Sequence, residues 1–209
     1  MTGPPEPASP RRSRVALPAS AAVVLASAAL LFAFGRSLGL RSPVFAFELH
    51  FVLMAAAAVI DRLFAPALRG PRFDVSPREV ALYEKLGVGA FLRLLRIVGW
   101  TALTRDRNVF DGSRRSLGSY ERATRHGENA HTWLFLIVLA PVAWSLARGW
   151  WDAAWWIGSM NVLFHAYPVM LQRTQRARLR RLLDRRPPEV VGPDGPDGTG
   201  GPVSGPVAG

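Results

Sequence analysis

The chain contains no cysteine. This absence excludes disulfide bonds, thiol nucleophiles and cysteine-ligated zinc sites. Negative charge is also scarce, because 15 acidic residues stand against 26 basic ones, of which Lys85 is the only lysine. A net charge of +11 would suit a nucleic-acid-binding protein, but the arginines mostly flank long apolar segments, where anionic lipid headgroups would meet them. We therefore predict that the basic residues bind a membrane surface and that the protein binds no nucleic acid.

Long apolar runs alternate with arginine-rich connectors, which predicts an all-α integral membrane protein. A helix of about 20 apolar residues crosses a bilayer. We predict four such spans, at residues 15–34, 43–60, 131–147 and 151–171. The first run is long for a signal peptide and has no small-residue cleavage site after it, so we interpret it as an uncleaved helix.

The arginines also predict how the spans are oriented. With four spans, the two short loops at 35–42 and 148–150 hold only Arg36, Arg41 and Arg148, and the other 23 of the 26 basic residues lie on the opposite side. Basic residues collect on the cytoplasmic side of a membrane. We therefore predict cytoplasmic N- and C-termini in a multi-pass protein of the cell membrane.

The segments outside the spans predict one helical domain between two tails. Residues 1–14 are predicted as a disordered basic N-terminus and residues 187–209 as a disordered Gly/Pro-rich tail, which leaves 15–186 as the membrane domain. In the central loop, Ser76 and Glu79 form a capping-box pattern before an apolar run. We predict a membrane-surface helix over 77–99, interrupted around Gly87 and Gly89; a helix packed on the bundle is the alternative. Residues 111–112 predict an Asp-Gly turn.

The topology brings several polar side chains to one depth. The third span begins, and the fourth ends, on the cytoplasmic side, and polar groups inside a bilayer are costly enough to indicate function. Spacings of three and four residues also place the polar side chains of each helix on one face. The residues expected to meet are Glu128, His131, Asn161, His165, Tyr167, Gln172 and Arg173, with Arg176 beside them.

These side chains suit acyl transfer. A carboxylate beside an imidazole can orient a general base, so His131 is the expected base and Glu128 its orienting partner. Asn161 and His165 would hold the acceptor or the oxyanion. A zinc site of Glu and His ligands is the less favoured alternative, because no H-E-x-x-H spacing occurs. Glu48 and His50, in the second span, are interpreted as a structural pair.

The strings ENAHTWLF and NVLFHAYPVMLQRTQRARLRRLL resemble the glycosyl-4,4'-diaponeurosporenoate acyltransferases of staphyloxanthin-type carotenoid biosynthesis. The resemblance covers mainly residues 121–183, and more weakly YEKLGVGAFLRLLRIVGW from Tyr83. The family's usual QRYNR is QRTQR here. The resemblance implies transfer of a fatty acyl group to a sugar hydroxyl of a carotenoid glycoside at the membrane. The positions that match its pattern are Glu128, His131, Asn161, Pro168, Gln172, Arg173, Arg176 and Arg178.

We therefore expect an acyltransferase that uses an acyl thioester as co-substrate and needs no cofactor or metal. Its acceptor would be a carotenoid glycoside or a related lipid. Substrate binding is assigned to Tyr167, Gln172, Arg173, Arg176 and Arg178, with the arginines holding donor phosphates. One alternative is a non-enzymatic scaffold or lipid-binding protein that uses its arginine-rich face, and a second is a small transporter with a histidine proton relay. A four-span bundle is thin, which leaves a homo-oligomer open.

Overall fold

The computed structural model describes residues 10–64, 68–103 and 113–184, and all regular structure in these ranges is helical, as predicted. A π-helical segment, Val162–Ala166, joins the last two helices without a break. Short 3-10 turns precede α3 and α6. These ranges hold the helices α1 (Pro10–Leu38), α2 (Pro43–Phe64), α3 (Pro77–Lys85), α4 (Val88–Ile97), α5 (Trp100–Leu103), α6 (Leu117–Ala147), α7 (Trp151–Asn161) and α8 (Tyr167–Asp184).

Among the described residues, three helices are long and apolar enough to cross a membrane: residues Ala16–Leu38 of α1, then α2 and α6. They contain the first three predicted spans, apart from the start of the first. None of the apolar window of α1 is buried in the fold, so its side chains are free to face lipid. The fourth predicted span, 151–171, is helical throughout, but the π-helical segment divides it and it is not among the three.

Two helices begin earlier than predicted. α1 starts at Pro10, so residues 10–14 are helical rather than disordered, and a proline at the first position is pre-set for a helix. α6 starts at Leu117, a few residues before Tyr120, where the sequence predicts the helix that leads into the third span, so roughly 20 Å of polar helix precedes that span. The predicted tails at 1–9 and 187–209 and the Asp-Gly turn lie outside the described residues.

Polar contacts show how the long helices are arranged. Arg41, in the turn after α1, forms an ion pair with Asp152 at the start of α7, with 2.9 Å between Nε and Oδ2. Asp61 lies near the end of α2, and its Oδ1 is 3.0 Å from Nδ1 of His126 in the first half of α6. The two short turns therefore lie at one end of the bundle, and the polar half of α6 lies at the other.

The hydrophobic core joins α2, α6 and α7. Ala46 and Leu49 of α2 pack on Val138 of α6 and Ile157 of α7. α1 packs on α2 at the edge of this group. The core therefore holds α2 and α6 in contact with α7, the helix that leads into the π-helical segment.

The central segment forms the predicted capping box and the predicted interruption. Ser76 Oγ accepts a hydrogen bond from the Glu79 N–H at 3.2 Å, and the Ser76 N–H donates one to Glu79 Oε2. Gly87, with φ of 85°, separates α3 from α4. α4 packs on α8 and also exposes Leu94 and Ile97. The alternative of packing on the bundle is thus observed, while an apolar face remains open beside it.

Candidate active site

Three histidines from three segments form a line inside the bundle. His50 of α2 and His165 of the π-helical segment are fully buried, while His131 of α6 is half-buried. His50 Nδ1 lies 3.0 Å from His165 Nε2, and His165 Nδ1 lies 3.2 Å from His131 Nδ1. The other nitrogen of His50, Nε2, lies 3.2 Å from the carbonyl oxygen of Ile157. We call these three side chains the histidine row.

His131 and His165 lie together, as the predicted topology requires. His50, which the sequence predicts only as part of a structural pair with Glu48, also joins them. Nothing in the spacing along α2 shows which neighbour His50 faces, because that depends on how α2 is rotated against α6 and α7. The signal that pointed to it was its position within an apolar span, where an imidazole is costly.

The π-helical segment positions His165. Pro168 has no N–H, so the carbonyl of Phe164 cannot receive its usual α-helical hydrogen bond. Instead the Tyr167 N–H donates to the carbonyl of Val162, five residues back. This wider turn alters the helical phase between Asn161 and α8. The predicted single polar face of the fourth span requires regular α-helical winding, which the π-helical segment interrupts between Asn161 and Gln172.

Asn161 lies one turn before His165 and is also buried. Its Nδ2 donates to the carbonyl of Phe135 at 3.1 Å. Its Oδ1 has no hydrogen-bond partner in the described part of the chain. A buried acceptor without a donor is costly, so this oxygen is suited to receive a hydrogen bond from a bound group.

Glu128 lies one turn before His131 but pairs with α8. Its carboxylate accepts hydrogen bonds from Arg173 Nη1 at 2.6 Å and from Arg176 Nη2. The predicted contact of Glu128 with His131 is therefore replaced by contacts with these two arginines. Two guanidinium groups compensate a buried carboxylate better than a neutral imidazole does. We call Glu128, Arg173, Arg176 and Glu79, which also binds Arg173, the Glu128 cluster.

Both arginines of the cluster are bound within the fold, although the buried Nη1 of Arg176 has no hydrogen-bond partner among the described residues. Arg176 is fully buried, donates from Nε to the Phe73 carbonyl at 2.8 Å, and burial lowers its pKa. Burial also acts to lower the pKa of Arg173, but hydrogen bonds to Glu79 and Glu128 raise it above its ordinary value. In this conformation neither guanidinium is open to a donor phosphate, the role predicted for both.

A tyrosine adjoins the same cluster. Tyr83 donates from its hydroxyl to Glu79 at 2.5 Å. Burial, followed by the interaction with this carboxylate, raises the pKa of Tyr83 to about 12. For Glu79, burial acts to raise the pKa, but the hydrogen bonds from Arg173 and Tyr83 lower it below its ordinary range. The carboxylate of Glu79 is therefore held ionised beside a neutral phenol.

Two of the predicted substrate-binding residues make contacts within the fold. Tyr167 donates to the Leu86 carbonyl at 3.0 Å and stacks on Phe91 with ring centroids 5.1 Å apart. The Gln172 side chain lies against Gly127, where an added Cβ would come within 2.9 Å of Gln172 Nε2. Tyr167 therefore ties α8 to the central segment, and Gln172 fills the close approach of α8 to α6.

Arg178 remains open to solvent. Its side chain is 59% exposed, and its ion pair with the equally exposed Glu84 is long, at 3.6 Å. Both residues border a groove of about 200 Å³ between α8 and the α3–α4 segment, whose apolar wall includes Val88, Leu92 and Leu171. Of the three arginines predicted to bind the donor, Arg178 is the one that a ligand reaches without breaking a buried ion pair.

No group of three or more His, Asp or Glu side chains within residues 10–64, 68–103 and 113–184 is arranged to hold a metal ion. The histidine row shows the reason. His165 turns Nε2 to one neighbour and Nδ1 to the other, so the three rings cannot bind one ion together. The arrangement is a chain of hydrogen bonds.

A family model described as glycosyl-4,4'-diaponeurosporenoate acyltransferase matches residues 61–185, which is more than half of the chain. The chain belongs to this family. No curated protein and no solved structure matches it. The matched residues of this glycosyl-4,4'-diaponeurosporenoate acyltransferase family member include Glu128, His131, Asn161 and His165, together with the arginines of α8. His50 precedes the match, so the third ring of the histidine row comes from outside it.

Proposed function

We propose that this chain is a membrane acyltransferase that moves a fatty acyl group from a thioester donor to a hydroxyl of a carotenoid glycoside or a related glycolipid. Membership of the family supports acyl transfer in carotenoid biosynthesis. The observation that carries the proposal is the histidine row, two buried imidazoles leading to the half-buried ring of His131. Such an arrangement suits a positioned general base.

In the proposed reaction, His131 removes the proton of the acceptor hydroxyl. The hydroxyl oxygen then attacks the acyl carbonyl and forms the ester bond as the carbon–sulfur bond breaks. The departing thiolate takes the proton back from His131, so the imidazole ends as it began. The step needs no metal or redox partner, because only a proton and an acyl group are transferred.

Asn161 is proposed to hold the acceptor. Its Oδ1 is buried and unpartnered among the described residues, and a sugar offers hydroxyl donors beside the one that reacts. His165 was predicted to share this role, but both of its ring nitrogens contact other histidines. We therefore propose that His165 positions His131, and that Asn161 and His131 contact the acceptor.

The donor is proposed to bind near Arg178. Acyl thioesters of common carriers bear phosphate groups, for which an exposed guanidinium is a good partner. The groove beside Arg178 has an apolar wall that could hold the start of an acyl chain. Arg173 and Arg176 support this site from inside, by fixing α8 to α6 through Glu128.

The placement in the membrane is proposed to follow the four-span topology in the cell membrane, with both termini cytoplasmic. The Arg41–Asp152 ion pair, which joins the two arginine-poor turns at one end of the bundle, supports it. The candidate active site then lies toward the arginine-rich, cytoplasmic side. A hydrophobic acceptor would reach it from the bilayer, and a soluble donor from the cytoplasm.

The test is mass spectrometry of lipids and pigments from the native host with the gene deleted, complemented by wild type, His131→Ala or His126→Ala. Deletion should cause a non-acylated glycoside to accumulate. Wild type and His126→Ala should restore its acyl ester, since His126 pairs with Asp61 outside the histidine row. His131→Ala should lower turnover by roughly 10²- to 10⁴-fold while the protein still inserts.

Two results would count against the proposal. Full activity in His131→Ala would remove the base assignment. An unchanged lipid and pigment profile on deletion, with the protein expressed in the parent strain, would favour the scaffold function instead.

A further inference from the structure

The inner end of the histidine row determines the direction of its hydrogen bonds. His50 Nε2 lies 3.2 Å from the Ile157 carbonyl oxygen. A carbonyl oxygen can only accept a hydrogen bond, so His50 Nε2 must carry a hydrogen and donate it. The remaining question is whether the second ring nitrogen of His50, Nδ1, also carries a hydrogen, which would make the ring positively charged.

Burial answers that question. A buried charge is costly unless an opposite charge compensates it. His50 and His165 are fully buried, and no carboxylate of the described residues bonds to any ring of the row. Glu128, the acidic residue closest along the chain to His131, is occupied by Arg173 and Arg176. The rings are therefore neutral, each with one N–H and one acceptor nitrogen.

The tautomers then follow one from another. Because His50 Nε2 carries the hydrogen, Nδ1 of His50 accepts, and His165 Nε2 must donate to it across 3.0 Å. His165 Nδ1 is then an acceptor, so His131 Nδ1 must donate to it across 3.2 Å. This leaves the lone pair of His131 on Nε2.

We propose that the histidine row fixes the tautomer of His131, with the hydrogen on Nδ1 and the lone pair on Nε2, and that His50 is the positioning residue that sets this direction. The inference rests on the proposed function at one point: in the proposed reaction, the Nε2 lone pair takes the proton of the acceptor hydroxyl. Because no ring can turn over without breaking a buried hydrogen bond, the base is held in its reactive form before substrate binds.

The first experiment is nitrogen NMR of the full chain, labelled with nitrogen-15 histidine and reconstituted in lipid nanodiscs without substrate. The chain has four histidines, so single substitutions can assign the signals. We expect His131 to carry its hydrogen on Nδ1, and His50 and His165 to carry theirs on Nε2. A His131 with its hydrogen on Nε2 would overturn the proposal.

A matched pair of substitutions then tests His50. His50→Leu removes the acceptor for His165 Nε2, so His131 should no longer hold one tautomer, and kcat should fall by about 10- to 100-fold with KM little changed. His50→Asn keeps an acceptor oxygen and an N–H, and should restore both the His131 spectrum and most of kcat. If His131 keeps its tautomer in His50→Leu, then His50 does not set it.

The two proposals fail in different ways. If the histidines show the expected tautomers but the protein transfers no acyl group, the tautomer proposal stands and the proposed function is wrong. Normal acyl transfer with the opposite tautomer at His131 would support the proposed function and would contradict the proposal that the histidine row fixes this tautomer.

Discussion

Arg176 is fully buried and forms an ion pair with Glu128 across the contact between α8 and α6. The pair lies one helical turn from His131, so the same stretch of α6 holds both a charged contact and the neutral histidine row. This relationship changes the role expected of Glu128. The carboxylate fixes the position of α6 against α8, and His165 supplies the contact to His131.

Removing the charge of Glu128 should destabilise the protein strongly. Glu128→Gln would leave Arg176 buried without a counter-charge, which typically costs about 3–5 kcal/mol. Thermal unfolding in a mild detergent should show a clearly lower midpoint. Glu84→Gln is the matched control, because its pair with Arg178 is exposed and long, and it should change stability by less than about 1 kcal/mol. Equal midpoints for the two variants would contradict the structural role of Glu128.

Tyr83 should make stability fall at high pH. Its pKa in the fold is about 12, above the ordinary value of 10, so the folded state binds the phenol proton more tightly than the unfolded state does. This contribution is complete below pH 10 and is lost as pH rises from there through about 12. Tyr83→Phe should remove that part of the alkaline loss, as followed by denaturant unfolding across this window. Parallel losses in wild type and variant would refute the prediction.

Two glycines near the start of α4 should respond in opposite ways to alanine. Gly87 has φ of 85°, so Gly87→Ala forces a strained backbone and should cost roughly 1–2 kcal/mol. Gly89 lies within α4, and an added Cβ there would meet nothing within 4 Å. Gly89→Ala should therefore stabilise the helix by up to about 1 kcal/mol. Unfolding midpoints of the two variants check the contrast, which changes of the same sign would contradict.

Replacing Arg178 should weaken donor binding without affecting the fold. Arg178→Ala removes an exposed cation beside the groove, and the KM for the acyl thioester should rise several-fold while kcat changes little. Arg41→Ala is the matched control, since Arg41 is also exposed and ion-paired but lies with the short turns. Steady-state kinetics in nanodiscs would distinguish them. A KM that rises equally in both would indicate a general effect of surface charge.

Much of this arrangement could be predicted from the sequence because it depends on local rules. Apolar run length predicts the long helices, and the capping box at Ser76 and the glycine at 87 predict where α3 starts and ends. Chain direction alone predicts that the start of the third span meets the end of the fourth. The contact of His131 with His165 and that of Glu128 with Arg173 both follow from this topology.

The partners of individual side chains could not be predicted in the same way. The rotation of α2 about its axis decides that His50 faces His165, and that rotation is set by packing of Ala46 and Leu49 against other helices. Whether Glu128 pairs with an imidazole or with two guanidinium groups depends on where α8 lies after the π-helical segment. Both are properties of contacts between helices, which spacing within one helix does not determine.

The π-helical segment at 162–166 also sets the rotational offset between the two parts of the last long helix. One residue in an α-helix corresponds to about 100° of rotation, so deleting a residue here to restore regular winding would turn all of α8 by about that angle. Arg176 would leave its place beside Glu128, and the small, uncharged side chain of Ala177 would occupy it. The wide turn thus keeps two sites in alignment at once: the imidazole that it carries and the buried guanidinium beyond it.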